Sequence, residues 1–415
     1  MVRSEPLEAA WPLVEPTDGE AIPPFELAWS SHPVATWLVE HGGKVRRLDR
    51  LLGELCERLV ASGIPLWRSV VGVRSSHPEV AARSVVWQRG GEGVISRDFS
   101  YTSRDKDVYL KSPVKLIHEG AGAIRRRLEG PDAARDFPIL DELVAAGATD
   151  YVIMPIIHTS GRIDFVSWTT DRPGGFTGHE LMLLYDLLPL IALRVEIEAA
   201  YDATRTLLET YLGREPARRV LGGRVRRGQV ETIRAVVLVS DVRGFTALSD
   251  RLESRQVIEL LDSYFEAAAG PIEEHEGEIL KFIGDGLLAI FGIGDDACGA
   301  CNTALDAAFG ILDGLDAVNA ERARSGLPEI RCGVGLHVGD VQYGNIGARD
   351  RLDFTVIGRA VNEASRVESL CKVLDRRVLA TAPFARLAEN PALFSVGFHA
   401  LRGVREPQEI FGVAR

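Results

Sequence analysis

Two aspartates stand at the ends of apolar runs, where folding alone asks for no charge. Asp241 closes "AVVLVSD", a β-branched run that reads as a buried strand, and Asp285 sits in "LKFIGDGLLAIFG", two short apolar strands meeting at a Gly-Asp-Gly turn. A carboxylate at the end of a buried strand needs a partner. A divalent cation would serve both aspartates, because carboxylate oxygens are the natural ligands of Mg2+. For Asp285 a structural reading stands beside this one, since Asp and Gly favour such turns in any hairpin. Lys281 lies four residues before Asp285, inside the same apolar segment. After Asp241, "VRGFTALSD" opens a helix at a Gly-containing turn. Free backbone N–H groups there would hold a phosphate beside the metal; the plain alternative is a strand-turn-helix with Thr246 as N-cap. "FTVIGRAVNEASRVESL" sets Asn362 and Arg366 four apart on one helix face. A solvated face is the plain alternative, but the small residues around the pair argue for a face packed against something.

"VSDVRGFT", "LKFIGDG" and "VIGRAVNEASRVE", in this order and spacing, resemble the catalytic domain of class III nucleotidyl cyclases over roughly residues 232–415. The resemblance implies that Asp241 and Asp285 hold two Mg2+ or Mn2+ ions, with the backbone carbonyl of Val242 as a further ligand. It implies that Gly244, Phe245 and Thr246 belong to the substrate-binding turn, that Asn362 orients the ribose and that Arg366 stabilises charge on the transferring phosphate. Lys281 and Thr355 fall on the two positions that read the purine. A basic residue of the C-terminal strands usually meets the outer phosphates. Arg402 and Arg405 in "LRGVREPQEIF" are the candidates, with a solvated hairpin as the plain reading of either. His337 in "GLHVGD" reads as a packing residue. The implied reaction is in-line attack of the ribose 3′-OH on the α-phosphorus with loss of pyrophosphate. Bound cations neutralise the developing charge, and a fixed guanidinium adds to that.

Base choice follows from hydrogen bonding. Adenine offers N1 as acceptor and its 6-amino group as donor; lysine donates only and threonine can accept. Guanine would leave a polar group unpaired, at about 1–3 kcal/mol. Guanylate cyclases that this chain resembles carry Glu- and Cys-type residues at these positions. The expectation is therefore ATP, with a guanylate cyclase or a catalytically silent cyclase-like scaffold as alternatives. Many adenylate cyclases have aspartate where this chain has Thr355. The threonine resembles the subgroup that includes bicarbonate-responsive cyclases, which makes bicarbonate a candidate effector. In the family the metal and purine residues come from one subunit and the asparagine and arginine from the other, so the resemblance implies a head-to-tail homodimer.

The elements that must position these residues are spread over a chain of 415 residues, enough for two or three domains. A formal net charge of −11 argues against a nucleic-acid binder but not against a nucleotide ligand. The acidic N-terminus lacks the apolar region of a secretory signal. "LMLLYDLLPLIALRV", 181–195, is too short for a membrane span and carries Asp186, Pro189 and Arg194. These features and the five scattered cysteines lead us to expect a cytoplasmic protein. Cys298 and Cys301 form a CxxC in a small-residue segment that reads as a packed helix face rather than a metal site.

Residues 1–44 read as a Pro- and Glu-rich arm, whose Trp29 and Trp37 hint that its later part docks on something. Residues 45–196 read as an α+β module, a helix-flanked antiparallel sheet, with "SRDFSYTSRDKDVYLKSPV" as a charged loop. Its layout resembles a GAF-type sensor domain, implying a small-molecule or other signal ligand. Residues 181–213 read as one long helix, bent at Pro189. Its stripe of Leu184, Leu188, Ile191, Val195, Leu208 and Leu212 suits either a parallel dimer seam or packing on its own domain. Residues 197–231 read as connector helix and linker, the linker being "GREPARRVLGGRVRRGQ". From 232 to 415 helices and strands alternate into an α/β sandwich with a mixed sheet. There a helix is expected over roughly 295–325, and "IRCGVGLHVGDVQYGNIG" reads as two strands.

Overall fold

The structure, a computed structural model, describes residues 32–414 apart from 92 and 132. The first part of the expected arm, with Trp29, lies outside the described residues. Two compact units divide the chain at Ala203 and Thr204.

Unit 1 runs α1 (Pro33–Glu40), α2 (Leu48–Ala61), β1 (Arg68–Arg74), β2 (Val80–Gln88), β3 (Val94–Ser100), α3 (Asp107–Leu110), α4 (Pro113–His118), β4 (Ile124–Arg127), α5 (Pro138–Ala145), β5 (Asp150–Ile157) and β6 (Ile163–Thr170) into α6 (Gly178–Leu212). The six strands form one sheet in the order β3-β2-β1-β6-β5-β4, and every pair is antiparallel. Period-2 alternation in β1, β5 and β6 sends Val71, Val152 and Trp168 to one face, where Leu52, Leu59 and Ile191 of α2 and α6 cover them. Trp37 of α1 joins that core. The opposite face carries Tyr151 and Ile153 under Ile117 and Leu140. The segment expected to be a charged loop instead forms β3, α3 and α4. Strand β3 is an edge whose residues are nearly all exposed. Its ladder with β2 holds it, so no hydrophobic alternation marks it in the sequence. Helix α6 contains Pro189, as expected, and is unbroken there.

Unit 2 runs α7 (Arg214–Leu221), β7 (Val230–Val242), α8 (Phe245–Ser249), α9 (Ser254–Glu274), β8 (Glu278–Ile283), β9 (Gly286–Gly292), α10 (Ala297–Arg324), β10 (Cys332–Gly347), β11 (Leu352–Ile357), α11 (Arg359–Val373), β12 (Val378–Thr381), α12 (Ala382–Ala388), β13 (Leu393–His399) and β14 (Gln408–Val413). The sheet order is β13-β14-β12-β10-β7-β9-β8, with β11 paired to β10. The β10–β12 pair is parallel and the others antiparallel, so the sheet is mixed. One face lies under α9 and α10 in a core of Leu238, Tyr264, Ile311 and Leu336. The other packs Val237, Ile290 and Phe354 with Ala360 and Ala364 of α11. Cys301 is fully buried in the first core while Cys298 is exposed, so the CxxC is a helix face.

Two expectations change here. "GREPARRVL" is a helix, α7, rather than a linker; Pro216 and Ala217 bury, and Arg218 and Arg219 pair with Glu215. "IRCGVGLHVGDVQYGNIG" is one strand of 16 residues rather than two. Its glycines resemble turn signals but serve close packing: a Cβ on Gly335 would lie 2.5 Å from the carbonyl oxygen of Ala364.

Candidate active site

Asp241 ends the buried run of β7, the central strand between β10 and β9. Its register partners are Gly333 on β10 and Gly286 on β9. Side chains directly opposite in an antiparallel ladder share a face, so the two glycines leave open space on both sides of one carboxylate. A Cβ on Gly286 would stand 2.9 Å from Asp241 Oδ1. Asp285 is the second residue of the two-residue turn joining β8 to β9, where Gly284 takes φ 63°. The backbone N–H of Val242 donates to the carbonyl of Asp285 at 3.2 Å, tying the two aspartate-bearing segments together. Burial, and then the charge of Asp285, push the Asp241 carboxyl up to about 6. Among the described residues neither aspartate is ion-paired to a cation.

A third acid, missed in the sequence, belongs to this neighbourhood. Glu368 of α11 places Oε1 2.7 Å from where a Cβ on Gly333 would be, so it fills the space beside Asp241. Burial, and then the charge of Asp241, push it up to about 7; Arg243 opposes that shift and Asp285 adds to it. The signal was present: position 368 continues the buried stripe of Ala360, Ala364 and Val367 at helical spacing, so a carboxylate there faces inward. Among the described residues no group of three or more His, Cys, Asp or Glu side chains forms a cage for a metal ion. Two carboxylates do fit a Mg2+-type cation, which keeps waters and takes substrate phosphates for its remaining positions.

The turn after Asp241 places Gly244, at φ 69°, in the cap position of α8 with no side-chain cap bond. Thr246 is therefore inside the helix, not its N-cap, and its carbonyl accepts from Ser249 Oγ at 2.9 Å. Arg243 reaches the last turn of α11, donating to the carbonyl of Cys371 at 2.9 Å and to that of Arg376.

Lys281 lies in β8 just past a bulge. Ile279 pairs with Ala289 and Lys281 with Leu288, so Leu280 is the extra residue. Simple alternation therefore fails here, and the bulge re-aims the lysine. Its Nζ is 3.8 Å from Oδ2 of Asp353 on β11. Thr355 stands two residues further along that strand, on the same face. It is 3% exposed and its hydroxyl has no hydrogen-bond partner.

Helix α11 carries Asn362, exposed, and Arg366, half-buried. Among the described residues neither side chain makes a hydrogen bond or ion pair. Arg366 lies under the β13–β14 turn, Nη2 being 3.4 Å from a Cβ position at Gly403. Arg366 and Glu368 stand ~200° apart around the helix at 100° per residue, so they serve different sides. Arg402 and Arg405 are exposed in that turn, without ion pairs among the described residues. His337 is buried and bonds Thr381 Oγ1 through Nδ1 at 3.0 Å; burial lowers its pKa. The structure thus brings together Asp241 with Asp285 and, through Asp353, Lys281 with the strand of Thr355. Among the described residues Arg405 makes no side-chain hydrogen bond or ion pair with either group.

A central strand ending in one aspartate, a hairpin offering a second, and a lysine ion-paired to the strand that bears an unsatisfied hydroxyl make up the candidate site. Residues 229–391, within unit 2, match the family model of the adenylate and guanylate cyclase catalytic domain. An adenylate cyclase of Anabaena cylindrica is 38% identical over 173 residues, 41% of this chain and 34% of that protein. An uncharacterized protein of Mycobacterium tuberculosis is 36% identical over 209 residues, 50% of this chain and 37% of its own length. The chain thus spans about a third of the length of these relatives. The crystal structure of the adenylyl cyclase CyaB from P. aeruginosa is 27% identical, with a TM-score of 0.42, covering 45% of this chain and 96% of that one. No helix among the described residues is long and apolar enough to cross a membrane.

Proposed function

We propose that the chain is an adenylate cyclase, converting ATP to 3′,5′-cyclic AMP and pyrophosphate under control of unit 1. The observation that carries the choice of ATP is Thr355: a buried hydroxyl without a partner, on the strand to which Lys281 is ion-paired. An unsatisfied buried polar group costs about 1–3 kcal/mol, so a ligand that supplies its partner is favoured. Lys281 donates to adenine N1 and Thr355 accepts from the 6-amino group.

Asp241, Asp285 and the carbonyl of Val242 hold two divalent cations, Mg2+ or Mn2+. When bound, these ions neutralise the triphosphate and make the 3′-OH easier to deprotonate. The turn at Gly244, Phe245 and Thr246 holds phosphate, Asn362 orients the ribose, and Arg366 stabilises charge on the phosphorus under attack. Arg405 is the candidate for the outer phosphates. The exposure of Asn362 and the lack of an acid partner for Arg366 support their use at the site of a second copy, in a head-to-tail homodimer.

Unit 1 we read as a GAF-type sensor with an unidentified ligand, on the support of its helix-flanked antiparallel sheet. The free cysteines support a cytoplasmic location. Bicarbonate is a candidate activator, and equal initial rates in bicarbonate and chloride at fixed pH would remove it.

The test is incubation of the purified chain with ATP or GTP and Mn2+, followed by detection of the cyclic product. Cyclic AMP from ATP is expected, and Asp285→Ala should abolish it. Preferential GTP turnover would favour the guanylate alternative. No product from either would favour a silent scaffold.

A further inference from the structure

Two side chains tie the end of β7 to α11, and they act in opposite senses. Arg243, two residues past Asp241, holds carbonyls at the C-terminal end of the helix, including that of Cys371 at 2.9 Å. Glu368, in the same helix, occupies the empty side-chain space of Gly333, the register partner of Asp241. The first contact is attractive. The second sets a carboxylate in the side-chain space directly across the ladder from Asp241, so two acids face one another there. Backbone approach on this side is already close: a Cβ on Gly335 would stand 2.5 Å from the backbone nitrogen of Glu368.

We propose that Glu368 is a positioning residue that makes the seating of α11 on β10 depend on a divalent cation at Asp241 and Asp285. This rests on the reading of those aspartates as the cation site. With the site bare, repulsion between Glu368 and the aspartates loosens α11. With a cation bound, the local charge is balanced and the helix that carries Asn362 and Arg366 settles onto the strand. Glu368 and Arg366 face different sides of α11, so filling the cation site of one copy orders the catalytic side chains which that copy offers elsewhere. Glu368 itself need not be a ligand, in keeping with the absence of a three-residue cage among the described residues.

Amide hydrogen exchange across 359–373, measured on the full chain with and without Mn2+, tests this. Mn2+ binding is followed in parallel by loss of the free-ion electron paramagnetic resonance signal. In the wild type, Mn2+ should slow exchange in α11 roughly tenfold or more. Glu368→Gln should exchange slowly in α11 already without metal and gain little from Mn2+. It should also bind Mn2+ about tenfold more weakly, the order expected for losing one neighbouring charge. Glu368→Asp keeps the charge and should restore the metal dependence. Asp285→Ala checks the underlying reading: if it binds Mn2+ like the wild type, the cation site itself is misplaced. If Asp285→Ala loses Mn2+ while α11 exchange in the wild type ignores Mn2+, the cation site stands and the role of Glu368 is overturned. The wild-type comparison decides this even if Glu368→Gln fails to fold.

Discussion

Asp241 and Gly286 are register partners on adjacent strands, and the carboxylate of the first uses the space that the second leaves empty. A methyl group on Gly286 would lie 2.9 Å from Asp241 Oδ1 and 2.8 Å from the carbonyl oxygen of Ser240, which is backbone and has little room to yield. Gly286→Ala should therefore displace the carboxylate, lowering cyclase turnover about 100-fold, the order of loss from a 1 Å misplacement. Overpacking should also destabilise by about 1–3 kcal/mol. Initial rates with Mn2+-ATP and thermal melts measure the two effects, and wild-type turnover in this variant would contradict the geometry.

The acids of the site set a pH dependence whose sign is fixed. Asp241 is held at about 6 and Glu368 at about 7, both above their unfolded values. Between about pH 4 and pH 7 the folded chain thus binds more protons than the unfolded one, and these groups favour folding less as pH rises through that window. A cation at the site relieves this at high pH and has little to relieve at low pH. The rise in melting temperature on adding Mn2+ should be larger at pH 7.5 than at pH 5.5. Equal rises at both would count against the assignment.

Thr355→Val replaces an unpartnered buried hydroxyl by a methyl of similar size. Without nucleotide the variant should be as stable as the wild type or more so, by about 1 kcal/mol. On the proposed reading it loses the acceptor for the adenine 6-amino group, and the KM for ATP should rise about tenfold. A variant both less stable and unaltered in KM would mean that the hydroxyl serves the fold.

Composite sites can be tested by mixing two inactive chains. Asp241→Ala removes a proposed cation ligand and Arg366→Ala removes the proposed catalytic guanidinium. If each site draws on two copies, the mixed dimer retains one intact site. The mixture should recover up to about a quarter of wild-type activity for random pairing into shared sites. Absence of any recovery, with dimers verified by light scattering, would argue against sharing.

Much of the site could be read from residue types because its charges stand in apolar runs. Asp241, Asp285 and Lys281 are conspicuous for that reason. Glu368 was not, because it follows a stretch rich in charged and small residues that hides its place on the inward stripe, and the glycine opposite it shows which space its carboxylate fills. The strands of unit 2 were legible where apolar residues cluster. The division expected inside β10 failed because close packing and a turn call for the same residue, glycine. In unit 1, β3 and the Arg-rich β4 were missed because backbone pairing rather than side-chain burial holds edge strands, and composition carries no trace of it. The bulge at Leu280 was likewise invisible, and it decides where Lys281 points.

The glycines of β10 have a mechanical consequence. At Gly333 and Gly335 a side chain would collide with α11, so the helix lies bedded in a trough cut into the strand. A bedded helix resists rolling, since rotation would drive its own Ala364 or Glu368 into the strand backbone. Asn362 and Arg366 ride on this one bedded helix, so a shift that carries either side chain carries the other with it.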